Sequence, residues 1–237
     1  MQSTIDSVDL QMLSAYGFNK LPALVRTELL ASGRLGGKVS KHTKLVCGVG
    51  FNDAHYLVDR YIDKVKVRCP AYSAWVNMLK RCYSKKYQSM QPTYTGCTVS
   101  HVWHSFMVFR AWWLQCYSDG YVLDKDLLYP NNKVYGPDTC LYVPTWLNSF
   151  TTTSNSSRGE LPLGVGLSKQ QRTRPYIAQC CDGRGKLVYL GMYATPEAAH
   201  AAWLQYKLGM VDSMRVQLEG ILPGLTEKVR TKIMSLR

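Results

Sequence analysis

Hydrophobic and polar positions follow two different periods along this chain. In residues 69–116 the period is helical. Tyr72, Trp75, Val76 and Leu79 fall on one face, and Trp103, Phe106, Phe109 and Trp113 recur at three- and four-residue steps. Such stripes predict helices whose aromatic faces form a core. Residues 94–99 between them read as a turn into a short strand. Residues 122–128 switch to period two, which predicts a strand with Asp124 and Asp126 on one face. Pro130, Asn131 and Asn132 are turn formers, and Gly136, Pro137 and Asp138 make a second break. Residues 140–143 predict another short strand, and Pro144 suits the first turn of a helix. Asn148 follows four residues later, about one helical turn on, where it points back at the hairpin.

The rest of the chain yields to the same patterns. Residues 7–16 and 21–32 predict two helices, the second with Gly33 as its stop. Residues 33–44, rich in Gly and Lys, predict a linker, and residues 45–51, with Gly48 and Gly50, a strand or a loop of close approach. Residues 164–167, 175–181 and 187–193 are strand-like, and Asp182-Gly183-Arg184-Gly185 is a hairpin signal joining the last two. Thr195, Pro196 and Glu197 open a helix, with Thr as cap and Pro at its first position. Ala198, Ala201, Ala202 and Gln205 keep one face of that helix small enough to pack on the sheet. Residues 211–237 predict one or two helices broken at Leu222, Pro223 and Gly224 and docked by Val229, Ile233 and Leu236. Lys228, Arg230 and Lys232 on that tail are phosphate contacts or a solvated face.

These patterns predict an α+β, modular chain. A helical segment and linker, 1–44, precede a core domain, 45–150. A polar linker, 151–160, leads to a three-stranded antiparallel sheet with one helix, 161–207, and a helical tail, 208–237. At 46% hydrophobic residues the chain is apolar enough for real cores. No run is long enough to span a bilayer, and the first residues lack the order of a secretory signal, so a cytoplasmic protein with no membrane partner is expected. None of the eight cysteines forms a C-x2-C pair, so they read as buried or free thiols rather than a zinc ribbon or a disulfide framework. Cys180 and Cys181, adjacent on a strand, face opposite ways.

Charge changes the picture further. The net charge is +13, yet residues 121–160 carry −1, between segments that carry +6 and +4. Cations around a carboxylate pocket are what a polyanion cleaver needs, so double-stranded DNA is the expected partner. Two strand carboxylates and an amide on the facing helix suit a hard divalent ion, Mg2+ or Mn2+, which keeps several waters and takes phosphate oxygens. The same three residues also fit solvated strand-end charges and a helix-surface amide.

The run LDKDLL…GPDTCLYVP…LN resembles the degenerate ββα-metal motif of phage-encoded HNH endonucleases. CPAYSAWVNMLKRCY…YTGCTVSHVWHSFMVFRAWW resembles the segment that precedes the hairpin in those enzymes, so the likeness covers residues 45–150. In that family a strand carries Asp-His, a loop Asp-Asn, and a helix a final Asn or His. Matched residue by residue, Asp124 stands for the strand Asp, Asp138 and Thr139 for the loop pair, and Asn148 for the last Asn. The resemblance implies a metal-dependent, homing-type endonuclease that hydrolyses phosphodiester bonds in duplex DNA, with Asp124, Asp126 and Asn148 as metal ligands. The family's general-base His is absent, and Lys125 or Asp126 occupies its place. His101, His104 or a metal-bound hydroxide are the remaining bases. Two alternatives stay open: a DNA-binding protein with a decayed nuclease core, and a phage accessory protein that docks through its basic surface.

The pattern GV…YIA…GK…LGMYATPEAA in residues 161–207 resembles the plant ethylene-response-factor type, APETALA-like DNA-binding domain. Gly164, Val165, Tyr176, Ala178, Gly185, Lys186, Leu190, Gly191, Tyr193, Glu197, Ala198 and Ala201 match its framework. The resemblance implies a sheet that enters the major groove with a helix behind it. The plant domain's base-contacting Arg and Trp pattern is not reproduced. Strand and loop positions place the DNA contacts on Lys169, Arg172, Arg174, Tyr176, Arg184 and Lys186.

Overall fold

The structure, a computed structural model, describes residues 44–62, 65–152, 160–170, 173–183 and 185–236. The helices expected at 7–16 and 21–32 and the polar stretch 153–159 lie outside these residues. The chain is α+β and contains a three-stranded antiparallel sheet. It forms two compact units. The first holds the described residues up to Lys125 together with Asn132–Tyr142, and the second holds Asp126–Asn131 together with the described residues from Val143 on. No helix of the described residues is long and apolar enough to cross a membrane.

In the first unit β1 (Asp59–Ile62) and β2 (Val65–Arg68) form an antiparallel hairpin. The Arg68 guanidinium forks onto Asp59 at 2.6 and 2.7 Å. α1 (Pro70–Tyr83) starts on a proline, and the Cys69 thiol caps it by accepting the Tyr72 N–H at 3.2 Å. Its predicted stripe is its buried face, because Trp75, Val76 and Leu79 are all buried. A short α2 (Lys85–Met90) follows, capped by Ser84. β3 (Thr98–Val99) leads through a 3-10 turn, His101–His104, into α3 (Phe106–Cys116). The Ser105 hydroxyl accepts the Val108 N–H at 3.1 Å and donates to Asp53 at 2.6 Å, so α3 is anchored from two sides.

The predicted aromatic core is present. Trp103, Phe106, Phe109 and Trp113 are buried, and the Trp75 indole N–H donates to the Trp103 carbonyl at 2.7 Å. Residues 45–51 make a turn of close approach. A Cβ on Gly50 would fall 2.4 Å from Leu79 Cδ1 and 2.7 Å from the Trp75 ring, so only glycine lets the backbone lie on α1. β4 (Tyr121–Asp124) pairs with β6 (Leu141–Pro144), whose first two residues belong to this unit. β5 (Val134–Tyr135) runs parallel to β3.

In the second unit α4 (Thr145–Thr151) precedes the sheet of β7 (Val165–Leu167), β8 (Tyr176–Cys181) and β9 (Leu187–Tyr193). The strands are antiparallel in the order β7-β8-β9, as the sequence predicts. α5 (Pro196–Ser213) backs the sheet, and the Thr195 hydroxyl caps it by accepting the Ala198 N–H at 3.2 Å. The sheet-facing side differs from expectation by about one position. Ala199 and Trp203 are buried and Ala202 packs with them, whereas Ala198, Ala201 and Gln205 are exposed. The cause is a tertiary fit: Trp203 lies over Gly164, which has no side chain to oppose it.

α5 runs unbroken past residue 207. α6 (Arg215–Ile221) and α7 (Leu225–Met234) complete the unit, and Leu225, Val229 and Ile233 bury one stripe of α7. Its basic residues are not a free face. Arg230 donates to Asp212 at 2.5 Å, Lys232 donates to Asp126 at 2.7 Å, and Lys228 lies 5.0 Å from the Tyr129 ring centroid.

Candidate functional site

Asp124 ends β4 and is only 9% exposed. The strand expected to reach residue 128 stops there, because Lys125 and Asn132 clasp the chain into a loop. Lys125 Nζ donates to the Asn132 carbonyl at 2.9 Å, and the Asn132 amide donates to the carbonyls of Lys125 at 2.6 Å and Val134 at 2.7 Å. Asp126 therefore shares no strand face with Asp124. It belongs to the second unit, where it accepts from Lys232; the two side chains are 30% and 12% exposed.

The turn after β5 lies beside Asp124. The N–H groups of Thr139 and Cys140 donate to the Gly136 carbonyl at 3.2 and 3.0 Å. The Thr139 hydroxyl donates to Val134 at 2.7 Å and so closes the turn. Burial pushes the Cys140 thiol up to about 12, and the nearby Asp124 charge pushes in the same direction. Burial likewise lifts Cys82 to about 12. These thiols stay protonated at neutral pH and are poor nucleophiles. None of the eight cysteines is in a disulfide, and Cys180 is buried and Cys181 exposed on opposite sides of β8.

Ser100 packs against the same turn. A Cβ on Gly136 would lie 3.2 Å from Ser100 Cβ, and the Ser100 N–H donates to Tyr135 at 2.7 Å. His101 comes next and is exposed. His104 is held differently: its Nε2 lies 3.2 Å from the Val99 carbonyl, and its ring stands edge-on to Tyr83. Asn148 lies half-buried on α4 in the second unit.

Among the described residues no group of three or more His, Cys, Asp or Glu is placed to hold a metal ion. The donor set therefore does not build a closed cage. A buried strand-end carboxylate fits the other mode, in which a hydrated hard cation takes one or two carboxylates and completes its shell with water and phosphate oxygens.

The second candidate is the sheet face turned away from α5. Tyr176 shares its side of β8 with buried Ala178 and Cys180 and packs with the residues between sheet and helix, so it does not face a ligand as expected. The opposite side carries Ile177 and Gln179 on β8, paired with Met192 and Tyr189 on β9. Tyr189 is 63% exposed and Leu187 58%. Lys169 and Arg174 are exposed in the loop before β8, and Lys186 is exposed after the hairpin that follows it. Arg172 and Arg184 lie outside the described residues.

A search by charge misses Gln179 and Tyr189. The signal for them is the period-two pattern around small, buried Ala178 and Cys180. No family model, curated protein or solved structure matches the chain.

Proposed function

We propose that this protein is a metal-dependent DNA endonuclease of the HNH type, which holds duplex DNA on the open face of β7-β8-β9 and cleaves at a centre built on Asp124. The placement of charge around the sheet carries the DNA reading. Lys169 and Arg174 stand at one end of β8 and Lys186 at the other, with uncharged side chains between. The six residues of β8 span about 20 Å at strand rise. Cations that far apart reach the phosphates on both sides of a major groove about 12 Å wide. Phosphate contacts fix register, and Gln179 and Tyr189 between them face the base edges.

A Mg2+ or Mn2+ ion would be held by Asp124 and would supply Lewis-acid stabilisation of the charge that develops at the phosphate. The chain's own residues do the rest. Asp124 offers its carboxylate from a strand end fixed by the Lys125–Asn132 clasp. His101, exposed and next in the chain to Ser100, which packs on Gly136, accepts the proton of the attacking water at a ring nitrogen.

A second reading, DNA binding without cleavage, is favoured by a specific observation. Asp126, Lys125, Thr139 and His104 are all engaged in internal hydrogen bonds. Plasmid nicking with Mg2+ or Mn2+, run beside duplex binding by anisotropy, separates the two. Cleavage that vanishes in Asp124→Ala while affinity persists supports the nuclease. Binding without cleavage in the wild type selects the second reading. No duplex affinity at low salt removes both.

A further inference from the structure

Residues 64–118 contain no Asp or Glu, yet they carry eight Lys or Arg. Two of these cations have places inside the first unit: Arg68 pairs with Asp59, and buried Arg110 lies 5.4 Å over the Tyr56 ring. Lys80, Lys85 and Lys86 are exposed, and they gather where α1 ends and α2 begins.

That corner is held in shape by its own hydrogen bonds. The Gln88 amide donates to the Cys82 carbonyl at 2.7 Å and lies 3.4 Å from the Tyr94 carbonyl, so α2 is tied to the end of α1 and to the 3-10 turn Pro92–Tyr94. Lys133 Nζ donates to the Thr93 carbonyl at 3.0 Å, which brings a fourth exposed ammonium to the same turn. Arg81 stacks beneath them, 5.5 Å over the Tyr94 ring.

Local helix energetics explain only part of this placement. Lys80 lies in the last turn of α1, where the dipole favours a cation. Lys85 and Lys86 occupy the first turn of α2, which has no acidic residue and where the dipole opposes them. A bound polyanion accounts for cations kept at an unfavourable position.

We propose that this corner of the first unit is a second contact surface for the phosphate backbone of duplex DNA, in addition to the sheet of the second unit. Its flank is polar: Ser89, Gln91 and Thr93 are exposed there and suit phosphate oxygens. A membrane surface calls for a row of apolar side chains to insert, and Met90 is the large exposed hydrophobic on α2.

The test uses the full chain and a duplex of arbitrary sequence, with affinity measured across a salt series. The triple variant K80Q/K85Q/K86Q flattens the slope of log affinity against log salt by about 0.9 for each phosphate no longer neutralised, up to about 2.7, and lowers affinity at 0.1 M salt by tenfold or more. Lys133→Gln, on a different element, flattens it by up to about 0.9. Arg215→Gln, an exposed charge on α6, leaves the slope in place. An unchanged slope in both corner variants overturns the inference. So does a loss confined to binding of phosphatidylserine vesicles, which assigns the corner to membranes. The sheet variant K169Q/R174Q/K186Q keeps the two readings apart. If it binds normally while the corner variants do not, the corner stands and the sheet interface falls.

Discussion

Gly164→Ala should damage the three-stranded sheet module, whereas Gly166→Ala, two residues further on in β7, should not. Gly164 has a φ of +74°, in the left-handed region where a side chain costs about 1–2 kcal/mol. Its Cβ would fall 2.1 Å from both Cδ1 and Cγ of Trp203 and 2.7 Å from Trp203 Cβ. The indole has no easy way aside. It is 6% exposed and stacks on His200 at 5.3 Å, and His200 Nδ1 is 2.9 Å from the Leu163 carbonyl. Overpacking such a site costs about 1–3 kcal/mol. The two terms together reach about 2–5 kcal/mol, a large share of the 5–15 kcal/mol that typically holds a domain folded. At Gly166 a Cβ would meet only Gln179 Nε2, at 3.8 Å, with no positive φ to strain. There the exchange is neutral or stabilises by up to about 1 kcal/mol, because alanine restricts the unfolded chain. Hydrogen exchange of the β8 amides in the full chain reads the effect locally. Loss of protection in Gly164→Ala, with protection kept in Gly166→Ala, is expected. Equal protection in both variants would refute the claim that Trp203 locks the helix to the sheet through Gly164.

Three other outcomes are expected. His101→Ala should lower the cleavage rate by roughly 10²–10⁴-fold without changing duplex affinity, whereas His104→Ala should act on stability by removing the ring that meets the Val99 carbonyl; equal rate losses would reject the assignment of the base. Lys232→Met should destabilise by about 1–3 kcal/mol, between the value of an exposed pair and that of breaking a buried one, and Asp126→Asn should add little to it; additive losses in urea unfolding would show that the two residues do not act as a pair. Glu219 accepts from the Gly224 and Thr226 amides at 2.7 and 3.2 Å. The Thr226 hydroxyl beside it and these amides hold its carboxyl below the usual range, so its contribution is present above the unfolded value of about 4.3 and is lost as pH falls through the lower folded value. The melting temperatures of wild type and Glu219→Ala should therefore differ at pH 7 and converge in acid; a constant gap would contradict this.

The sheet module is legible in the sequence because its signals are local. Thr195 before Pro196 fixes where α5 starts, and the Asp182–Gly185 stretch fixes the hairpin, without help from distant residues. Legibility fails where a distant side chain decides. The sequence keeps alternating to Leu128, and the strand ends at Asp124 because Lys125 and Asn132, seven residues apart, bond each other's backbone. The face of α5 is chosen by Trp203 settling over Gly164, not by the smallness of Ala198 and Ala201. Lys232 reads as a solvated tail charge, and its partner is 106 residues away. Asp124 stands out in the sequence as a carboxylate, but its burial depends on packing that no local pattern reports.

These internal bonds also bear on the missing base. In HNH endonucleases, the class the proposal invokes, the residue after the strand Asp is the one that takes the proton. Here Lys125 stands after it, and its Nζ points along the loop to the Asn132 carbonyl rather than toward water. Asp126, the other occupant of that place, is held by Lys232. If the nuclease proposal holds, neither Lys125 nor Asp126 is the base. Of the two histidines in that unit's 3-10 turn, His104 is tied to Val99, whereas His101 is exposed and follows the residue packed on Gly136. On the nuclease proposal the base is therefore His101, and Thr139, which donates to the Val134 carbonyl at 2.7 Å, closes the turn against which Ser100 packs.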